Sequence, residues 1–209
     1  MTHLELRDRL GDWIGANKKR IADSVRTDIL NIAQKELCRQ WDLSFNEVLD
    51  SFDTIAGTNA YALPADFSRP YELQYLDADN GAIKTVSFLL LQEFDALYPD
   101  PTKTAKPGHY TTWNGNLYLG KTPDRVLTIH RAYYRYLPDL VNDGDHNALT
   151  DKAWEVLLFK GLGDMTRYGL EDERIPVWQA RGSELELELV REHARAKSAG
   201  RRPIGREPS

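Results

Sequence analysis

The chain has 209 residues, a formal net charge of −5 and a hydrophobic content of 41%. That length suffices for one large domain or two small ones, and the composition is typical of a soluble globular protein. The negative charge argues against a general nucleic-acid binder, and the single cysteine, Cys38, excludes an internal disulfide and fits a reducing compartment. The N-terminal segment carries acidic residues and no continuous apolar run, so no secretory signal is expected. No apolar run approaches the roughly 18 residues that a membrane helix needs, so no membrane helix is expected either.

Two helices are predicted at the start of the chain. In the first, apolar residues recur at steps of three and four from Leu4 to Ile14, and Asn17 is the expected stop. The second is predicted from about Lys19 to Arg39, where the apolar residues form one stripe at helical period.

From Ser51 onward the hydrophobic period changes to that of strands. Two runs joined by a Gly-containing turn predict a first hairpin, and an Asn-Gly turn predicts a second one, with the strands at 51–55, 60–63, 71–77 and 82–88. A short helix is predicted over 91–98. The clearest hairpin covers 109–119, with Asn114-Gly115 at its centre, and a last long strand is predicted over 126–136.

A corner is predicted where the strand 60–63 ends. Pro64 has no N–H for a strand ladder and disfavours the helical region for the residue before it. We therefore expect a structural corner formed by Tyr61, Leu63, Pro64, Asp66 and Phe67. A second proline, Pro70, fixes φ just before the next extended run.

After Pro138 the pattern is helical again. One helix is predicted over 148–168 with Gly169 as its C′ residue, and a last one over 173–197, where Pro176 is tolerated in the first turn. Helices at the two ends cannot bury their apolar stripes alone. We therefore predict an α+β fold: a four-helix-type bundle from the N- and C-terminal helices, an inserted antiparallel β lobe, and an extended C-terminal tail. The expected boundaries are 1–44 and 139–198 for the bundle, 45–138 for the β lobe and 199–209 for the tail.

Charge is distributed unevenly along the chain. Between Arg191 and Ser209 there are six basic and two acidic residues, which gives this segment about +4 and the remainder about −9. The residues after Ser198 are rich in Gly, Pro and Arg and have no apolar stripe. Such a segment cannot pack alone but can become ordered on a partner.

No sequence pattern predicts a catalytic centre, a metal site or a cofactor. Residues 142–147 resemble the start of a calcium loop, but Ala148 stands where glycine is needed and Trp154 where glutamate is needed, so a helix-capping linker is expected. Residues 161–163 lack the third glycine of a nucleotide-binding fingerprint, which favours close helix packing. His130 has no G-x-S-x-G motif to accompany it and is interpreted as a strand-face residue.

Two surface patterns allow more than one interpretation. Arg131 and the aromatic run 133–136 could stack single-stranded nucleic acid, but cross-strand pairing in a half-buried sheet fits the acidic chain better. Glu184, Glu186 and Glu188 alternate with leucines among strong helix formers, which predicts a helix with an acidic rim. That rim would be a solvated face or, in a ring, a wall that repels DNA phosphates.

The order of several motifs resembles one protein family. The corner Tyr61-x-Leu63-Pro64-x-Asp66-Phe67 is followed by EFDALYP at 93–99, YTTWNGNLYLG at 110–120, Thr122-Pro123, Tyr133-Tyr134-Arg135 and a helix start at Ala148-Leu149. From the second helix to the last, this arrangement resembles the head-to-tail adaptor proteins of tailed bacteriophages, also called head–tail connector or neck proteins.

The resemblance implies a structural virion protein of the neck region, made in the host cytoplasm, with no catalytic site. It implies a homo-oligomeric ring, typically of twelve subunits, that docks on the portal protein and carries tail, nozzle or tail-fibre proteins. Double-stranded DNA would pass through the ring without specific binding, and no membrane is involved.

The resemblance also implies roles for two groups of residues. It places the C-terminal segment against the portal, through Arg201, Arg202, Pro203 and Arg206. In a ring, the expected channel-facing acidic rim is Glu184, Glu186 and Glu188, and an acidic body suits a channel that passes DNA without holding it.

Two other classes of function remain open from the sequence. A virion module that binds carbohydrate or a host surface through the aromatic β lobe would be favoured by exposed Trp113 and Tyr118 beside the Asn114-Gly115 turn. An enzyme such as a hydrolase would need a cleft that joins His109 or His130 to a carboxylate and shifts the histidine pKa strongly.

Overall fold

The computed structural model describes residues 1–200, with side chains to residue 196, and the chain divides into two compact units. The helical unit comprises Met1–Asn46 together with the chain from Tyr136 onward, and the β unit comprises Glu47–Arg135. The unit boundaries observed here lie two and three residues from the domain boundaries expected at 44/45 and 138/139.

Six α-helices and eight strands occur in the described residues. The helices are α1 (His3–Ile14), α2 (Asp23–Gln40), α3 (Leu91–Leu97), α4 (Ala148–Lys152), α5 (Trp154–Gly163) and α6 (Ile175–Gly200). The strands are β1 (Glu47–Asp53), β2 (Ala60–Ala62), β3 (Phe67–Asp77), β4 (Ala82–Thr85), β5 (Ser87–Phe88), β6 (His109–Trp113), β7 (Asn116–Leu119) and β8 (Thr128–Arg135). Short 3-10 turns cover Gly15–Arg20, Ser44–Asn46 and Met165–Tyr168.

Helix α1 has well-defined ends. Thr2 and Glu5 form a capping box at its start, in which the Thr2 N–H donates to the Glu5 carboxylate over 2.9 Å. At its end Gly15 takes φ 59°, a conformation that favours glycine, and the chain turns into the 3-10 segment. The prediction that α2 begins near Lys19 was therefore wrong, because residues 15–20 are used by that turn and α2 begins at Asp23.

The core of the helical unit is shared by α1, α2, α5 and α6. Its fully buried residues include Leu6, Leu10, Leu30, Leu37, Leu157 and Leu162. A Cβ at Gly161 would lie 3.0 Å from the Ile29 side chain and 3.1 Å from that of Leu10. The interpretation of residues 161–163 as small residues for close helix packing is thus confirmed.

The single helix predicted over 148–168 is interrupted. Ala153 takes φ −144° and ψ 34°, so it ends α4 and starts α5, and residues 165–168 form a 3-10 turn. Gly169 has the left-handed conformation expected of a C′ residue, with φ 75°, but it ends the 3-10 turn 165–168 and not an α-helix. Helix α6 continues to Gly200, past the predicted end at Lys197, so the first two residues of the expected tail are helical. Residues 201–209 lie outside the described residues.

The predicted β lobe forms one compact unit that contains two four-stranded sheets. Sheet 1 has the order β1-β8-β3-β4, and sheet 2 has the order β2-β7-β6-β5. The expectation of an antiparallel lobe was wrong for one pair, since β5 and β6 run parallel. Parallel neighbours need a crossover connection, and here the connection contains α3.

The first predicted hairpin does not form, because its two strands belong to different sheets. Strand β1 pairs with β8 and strand β2 pairs with β7. Thr54, directly after β1, binds the residue that precedes β8. Its N–H donates to the Leu127 carbonyl over 2.9 Å, and its hydroxyl accepts from the Leu127 N–H over 2.8 Å. The run 82–88 is likewise divided at buried Val86, so that β4 pairs with β3 and β5 with β6.

The hairpin predicted at 109–119 is confirmed. Asn114 and Gly115 both have positive φ, 46° and 75°, as a type I′ turn requires. Pro70 lies inside β3 rather than before it, at a register shift between Pro70 and Glu72. A strand tolerates proline at such an irregularity because no ladder N–H is needed there.

Candidate functional site

The corner after β2 is closed by main-chain hydrogen bonds. The Leu63 N–H donates to the Gly115 carbonyl over 2.9 Å, and the Phe67 N–H donates to the Pro64 carbonyl over 3.0 Å. The Tyr61 hydroxyl donates to the Thr58 carbonyl over 2.7 Å and so also holds the loop that precedes β2.

The far side of the corner is attached to strand β8. The Tyr133 hydroxyl donates to the Asp66 carboxylate over 3.0 Å, and the Phe67 ring stacks on the Tyr133 ring with 5.6 Å between centroids. Burial and the neighbouring Asp66 carboxylate raise the pKa of Tyr133 to about 12. All five corner residues are thus placed by contacts within the β unit.

An ion pair between buried Arg131 and half-buried Asp50 lies beside the corner. The Arg131 guanidinium donates to both carboxylate oxygens of Asp50, over 2.9 and 2.6 Å, and its third nitrogen lies 3.5 Å from the Ala62 carbonyl. The same guanidinium lies 5.1 Å from the centre of the Phe52 ring. Arg131 therefore joins β1, β8 and the end of β2, which accords with the structural rather than the nucleic-acid-binding interpretation of the run 131–136.

The three glutamates of α6 do not share one face. Glu184 and Glu188 are exposed, whereas the Glu186 carboxylate accepts a 2.5 Å hydrogen bond from the Trp41 indole and lies 3.6 Å from the Lys160 ammonium. An α-helix turns by about 100° per residue, so residues 184 and 188 align and residue 186 points elsewhere. Glu192 is also exposed and continues the row, a residue that the strand-like alternation in the sequence concealed.

The calcium-like loop 142–147 uses its oxygen atoms within the protein. The Asp145 carboxylate accepts from the N–H groups of residues 141 and 142, and the Asp143 carboxylate lies 3.2 Å from Arg7. The Asn147 side chain caps α4, as predicted. No group of three or more metal-ligating side chains occurs within the described part of the chain.

The histidines discussed as catalytic candidates have other surroundings. The Tyr98 hydroxyl lies 2.6 Å from Nδ1 of His109, and His130 is exposed on β8. A contact that the sequence did not indicate joins Ser44 to Nδ1 of His193, 2.7 Å from its hydroxyl and 3.3 Å from its N–H. The main-chain N–H and the hydroxyl of Ser44 therefore both contact one ring nitrogen of His193. Because His193 lies on α6, this contact connects the 3-10 turn 44–46 to that helix.

Sheet 2 carries exposed aromatic residues on its outer face. Trp113 is 58% exposed, and the β6–β7 register places it on the same face as half-buried Tyr118. Tyr118 lines a cavity of about 310 Å³ together with residues of α3 and the loop that follows it. We call this cavity the α3 groove.

The helices of the described residues include none that is both long and apolar enough to cross a membrane.

One protein-family model, described as SU10 adaptor protein, matches residues 1–202 and therefore spans both units. The chain belongs to the SU10 adaptor protein family. This is a phage head-to-tail adaptor family, so the chain is a structural protein of the phage virion and not an enzyme. The family resemblance seen in the sequence is thereby confirmed. No curated protein matches the chain.

Proposed function

We propose that this SU10 adaptor protein forms a ring between the portal and the tail or nozzle and extends the DNA channel of the virion. The observation that carries the proposal is the family match over residues 1–202, which includes both the helical unit and the β unit. The proposed ring has twelve subunits, which the portal imposes on it.

Exposed apolar residues of the β unit support contacts between neighbouring subunits. Leu76 and Ile83 stand directly opposite each other on β3 and β4 and are 58% and 69% exposed. Leu49, on the other edge strand of sheet 1, is 73% exposed. Edge strands with exposed apolar side chains are surfaces that a neighbouring chain can cover.

We propose that the acidic rim of α6 faces the channel through Glu184 and Glu188. Both carboxylates are exposed, and a negative wall would repel DNA phosphates during passage. Glu186 was included in the expected rim, but its carboxylate is engaged by Trp41 and Lys160 and is not available to DNA.

The portal-contacting residues are proposed to be Arg201, Arg202, Pro203 and Arg206. These residues lie outside the described part of the chain, and the proposal rests on their charge and on the family resemblance. Three arginines within six residues can form charge-assisted hydrogen bonds with acidic portal residues.

Co-sedimentation of the purified chain with the portal protein of the same phage tests this function. We expect a stable complex that contains several copies of the chain per portal. A chain that stays at the monomer position in the presence of portal would contradict the proposal.

A second candidate function is the binding of a glycan or host surface by the β unit. The exposure of Trp113 next to the β6–β7 turn favours it, since an exposed aromatic face can stack on a ligand ring. The test is glycan binding by the wild-type chain and its loss in Trp113→Ala.

A further inference from the structure

Strand β1 forms one edge of sheet 1, and half of its main-chain groups point away from the sheet. Thr54 continues the β1–β8 register and donates its N–H to Leu127. In an antiparallel ladder, hydrogen-bonded pairs alternate with non-bonded pairs. Every second residue of β1 therefore bonds to β8, and the N–H and C=O groups of Leu49 and Ser51 point outward.

Strand β4 forms the opposite edge of sheet 1 and follows the same rule. The Val86 N–H donates to the Leu73 carbonyl over 2.8 Å, in continuation of the β3–β4 register. The main-chain groups of Ile83 and Thr85 therefore point away from β3. In the part of the chain that the structure describes, no strand and no main-chain hydrogen bond covers the outer side of β1 or of β4.

The two edges of sheet 1 run in opposite directions. Each neighbouring pair in the order β1-β8-β3-β4 is antiparallel, so β1 is also antiparallel to β4. A second copy beside the first can therefore present its β1 to β4 in the same antiparallel sense that the sheet already has. A contact between two different surfaces repeats from copy to copy and closes into a ring where the rotation allows it.

Side chains and charges of the two edges are complementary. The ladders place Leu49 on β1 and Ile83 on β4 on the same face of sheet 1, where they are 73% and 69% exposed. Strand β1 carries three acidic residues and no basic one, whereas β4 carries exposed Lys84 and no acidic residue. Pairing of β1 with β1 would bring like charges together, and pairing of β1 with β4 brings opposite charges together.

We propose that β4 of one chain pairs with β1 of a second copy, so that sheet 1 continues from chain to chain. The contact combines main-chain hydrogen bonds between the edges with burial of Leu49 against Ile83. Leu76, which stands opposite Ile83 and is 58% exposed, extends the apolar surface. The inference specifies the subunit contact of the proposed ring, and its biological role rests on that proposed function. The contact itself is made by two copies of the chain and needs no portal.

Sedimentation velocity of the full-length chain over a range of concentrations, without portal, tests this contact. We expect wild type to associate. Leu49→Lys places a lysine opposite the edge that carries Lys84, and Ile83→Glu places a glutamate opposite the acidic edge. Each single variant should raise the dissociation constant at least about tenfold, because like charges then meet in the contact. The variant with both changes should associate again, since the new lysine faces the new glutamate of the next copy.

Two exposed leucines of the β unit serve as matched controls. Leu97→Lys and Leu90→Glu introduce the same charges outside sheet 1, at positions that are 55% and 63% exposed, and should leave association unchanged. Circular dichroism verifies that every variant is folded.

A second pair of variants tests the main-chain hydrogen bonds themselves. Thr85→Pro removes an N–H that points outward, which an edge strand tolerates, and should weaken association. Thr85→Ala keeps that N–H and should associate as wild type does.

Four results would overturn the inference. They are a wild-type chain that stays monomeric at every concentration, single variants that are no weaker than the controls, a double variant that does not associate again, and equal association of Thr85→Pro and Thr85→Ala. If Ile83→Glu abolishes association and Leu49→Lys has no effect, two β4 strands pair with each other and assembly ends at a dimer.

Failure of the inference is distinguishable from failure of the proposed function. If the portal complex forms while chains without portal stay monomeric, the inference fails and the proposed function stands. If chains associate through the two edges but do not co-sediment with portal, the proposed function fails and the edge contact stands.

Discussion

Tyr133 and Asp66 are 67 residues apart in sequence, and the hydroxyl of one donates a 3.0 Å hydrogen bond to the carboxylate of the other. The bond fastens the corner after β2 to the central strand β8. A bend that Pro64 favours locally is thus also held by a tertiary contact within the β unit.

Removing this hydroxyl should destabilise the β unit. We expect Tyr133→Phe to lower the free energy of unfolding by about 1 kcal/mol, because the hydrogen bond is lost while the Asp66 carboxylate stays partly buried. Urea titrations followed by circular dichroism measure the change. Tyr118→Phe is the matched control, since no hydrogen bond of the Tyr118 hydroxyl occurs in the described residues. Equal stability of wild type and Tyr133→Phe would contradict the role given to this bond.

Stability should fall in alkaline solution. Burial raises the pKa of Tyr110 and of Tyr133 to about 12, whereas an unfolded tyrosine titrates near 10. Above pH 10 the unfolded chain therefore binds fewer protons than the folded chain, and the free energy of unfolding decreases between pH 10 and 12. Denaturation at several pH values checks this. The free energy of unfolding should decrease less steeply with pH in Tyr133→Phe than in wild type. Equal slopes in the two chains would contradict a raised pKa of Tyr133.

The pKa of Asp172 is lowered in the folded protein, so its contribution to stability is lost in acid and not in alkali. The Arg174 guanidinium donates to both oxygens of this carboxylate and lowers the pKa of Asp172 to about 2. The stabilisation is complete above the unfolded pKa near 3.8 and is lost as pH falls toward 2. Asp172→Asn should remove this part of the acid dependence, measured by thermal unfolding from pH 5 to pH 2. If thermal stability depends on pH in the same way in wild type and in Asp172→Asn, the Asp172–Arg174 pair does not contribute to stability.

The β6–β7 turn depends on the conformation of Gly115. Its φ of 75° is strained for a residue with a side chain, so Gly115→Ala should lower the free energy of unfolding by about 1 kcal/mol. Gly108→Ala is a suitable comparison because Gly108 is exposed, has no positive φ and has open space around its Cα. A loss of the same size at both positions would argue against turn strain.

The acidic rim gives a prediction about DNA. In the assembled ring, Glu184→Lys with Glu188→Lys should create DNA binding that wild type lacks, because a repulsive face becomes attractive. Electrophoretic mobility shift at low salt detects it. Glu171→Lys with Glu173→Lys serves as the control for net charge, since these exposed glutamates lie before α6. If both double variants bind DNA equally, the effect comes from net charge, and Glu184 and Glu188 do not face the channel.

The parts of the fold that sequence predicted well are governed by neighbouring residues. The turn at Asn114-Gly115, the cap at Asn147 and the left-handed conformation of Gly169 each follow from one or two residues whose backbone preference is strong. The choice of partner for β1 could not be predicted, because its ladder is formed with β8, about 80 residues away, and no local sequence signal specifies so distant a partner.

In the candidate sites, too, features set by neighbouring residues could be predicted and features set by distant residues could not. Glu186 was grouped with its neighbours by strand-like alternation, although the helical period already separates residue 186 from residues 184 and 188. The α3 groove was not predictable, because it arises only when α3 and the prolines after it meet β7 of sheet 2. Tyr118 was noted in the sequence as an aromatic residue beside the Asn114-Gly115 turn, whereas Asp95 and Tyr98 were noted only as part of the predicted helix 91–98 and of the motif EFDALYP.

Native mass spectrometry of the chain with the portal protein of its own phage tests directly whether the chain forms a ring on the portal. We predict a complex whose mass corresponds to a ring of about twelve chains on one portal. We also predict a weaker complex when Arg201, Arg202 and Arg206 are replaced by alanine. Portal and chain that give only separate masses would contradict the ring on the portal, whereas equal complexes from both chains would leave the ring and remove the role of the arginines.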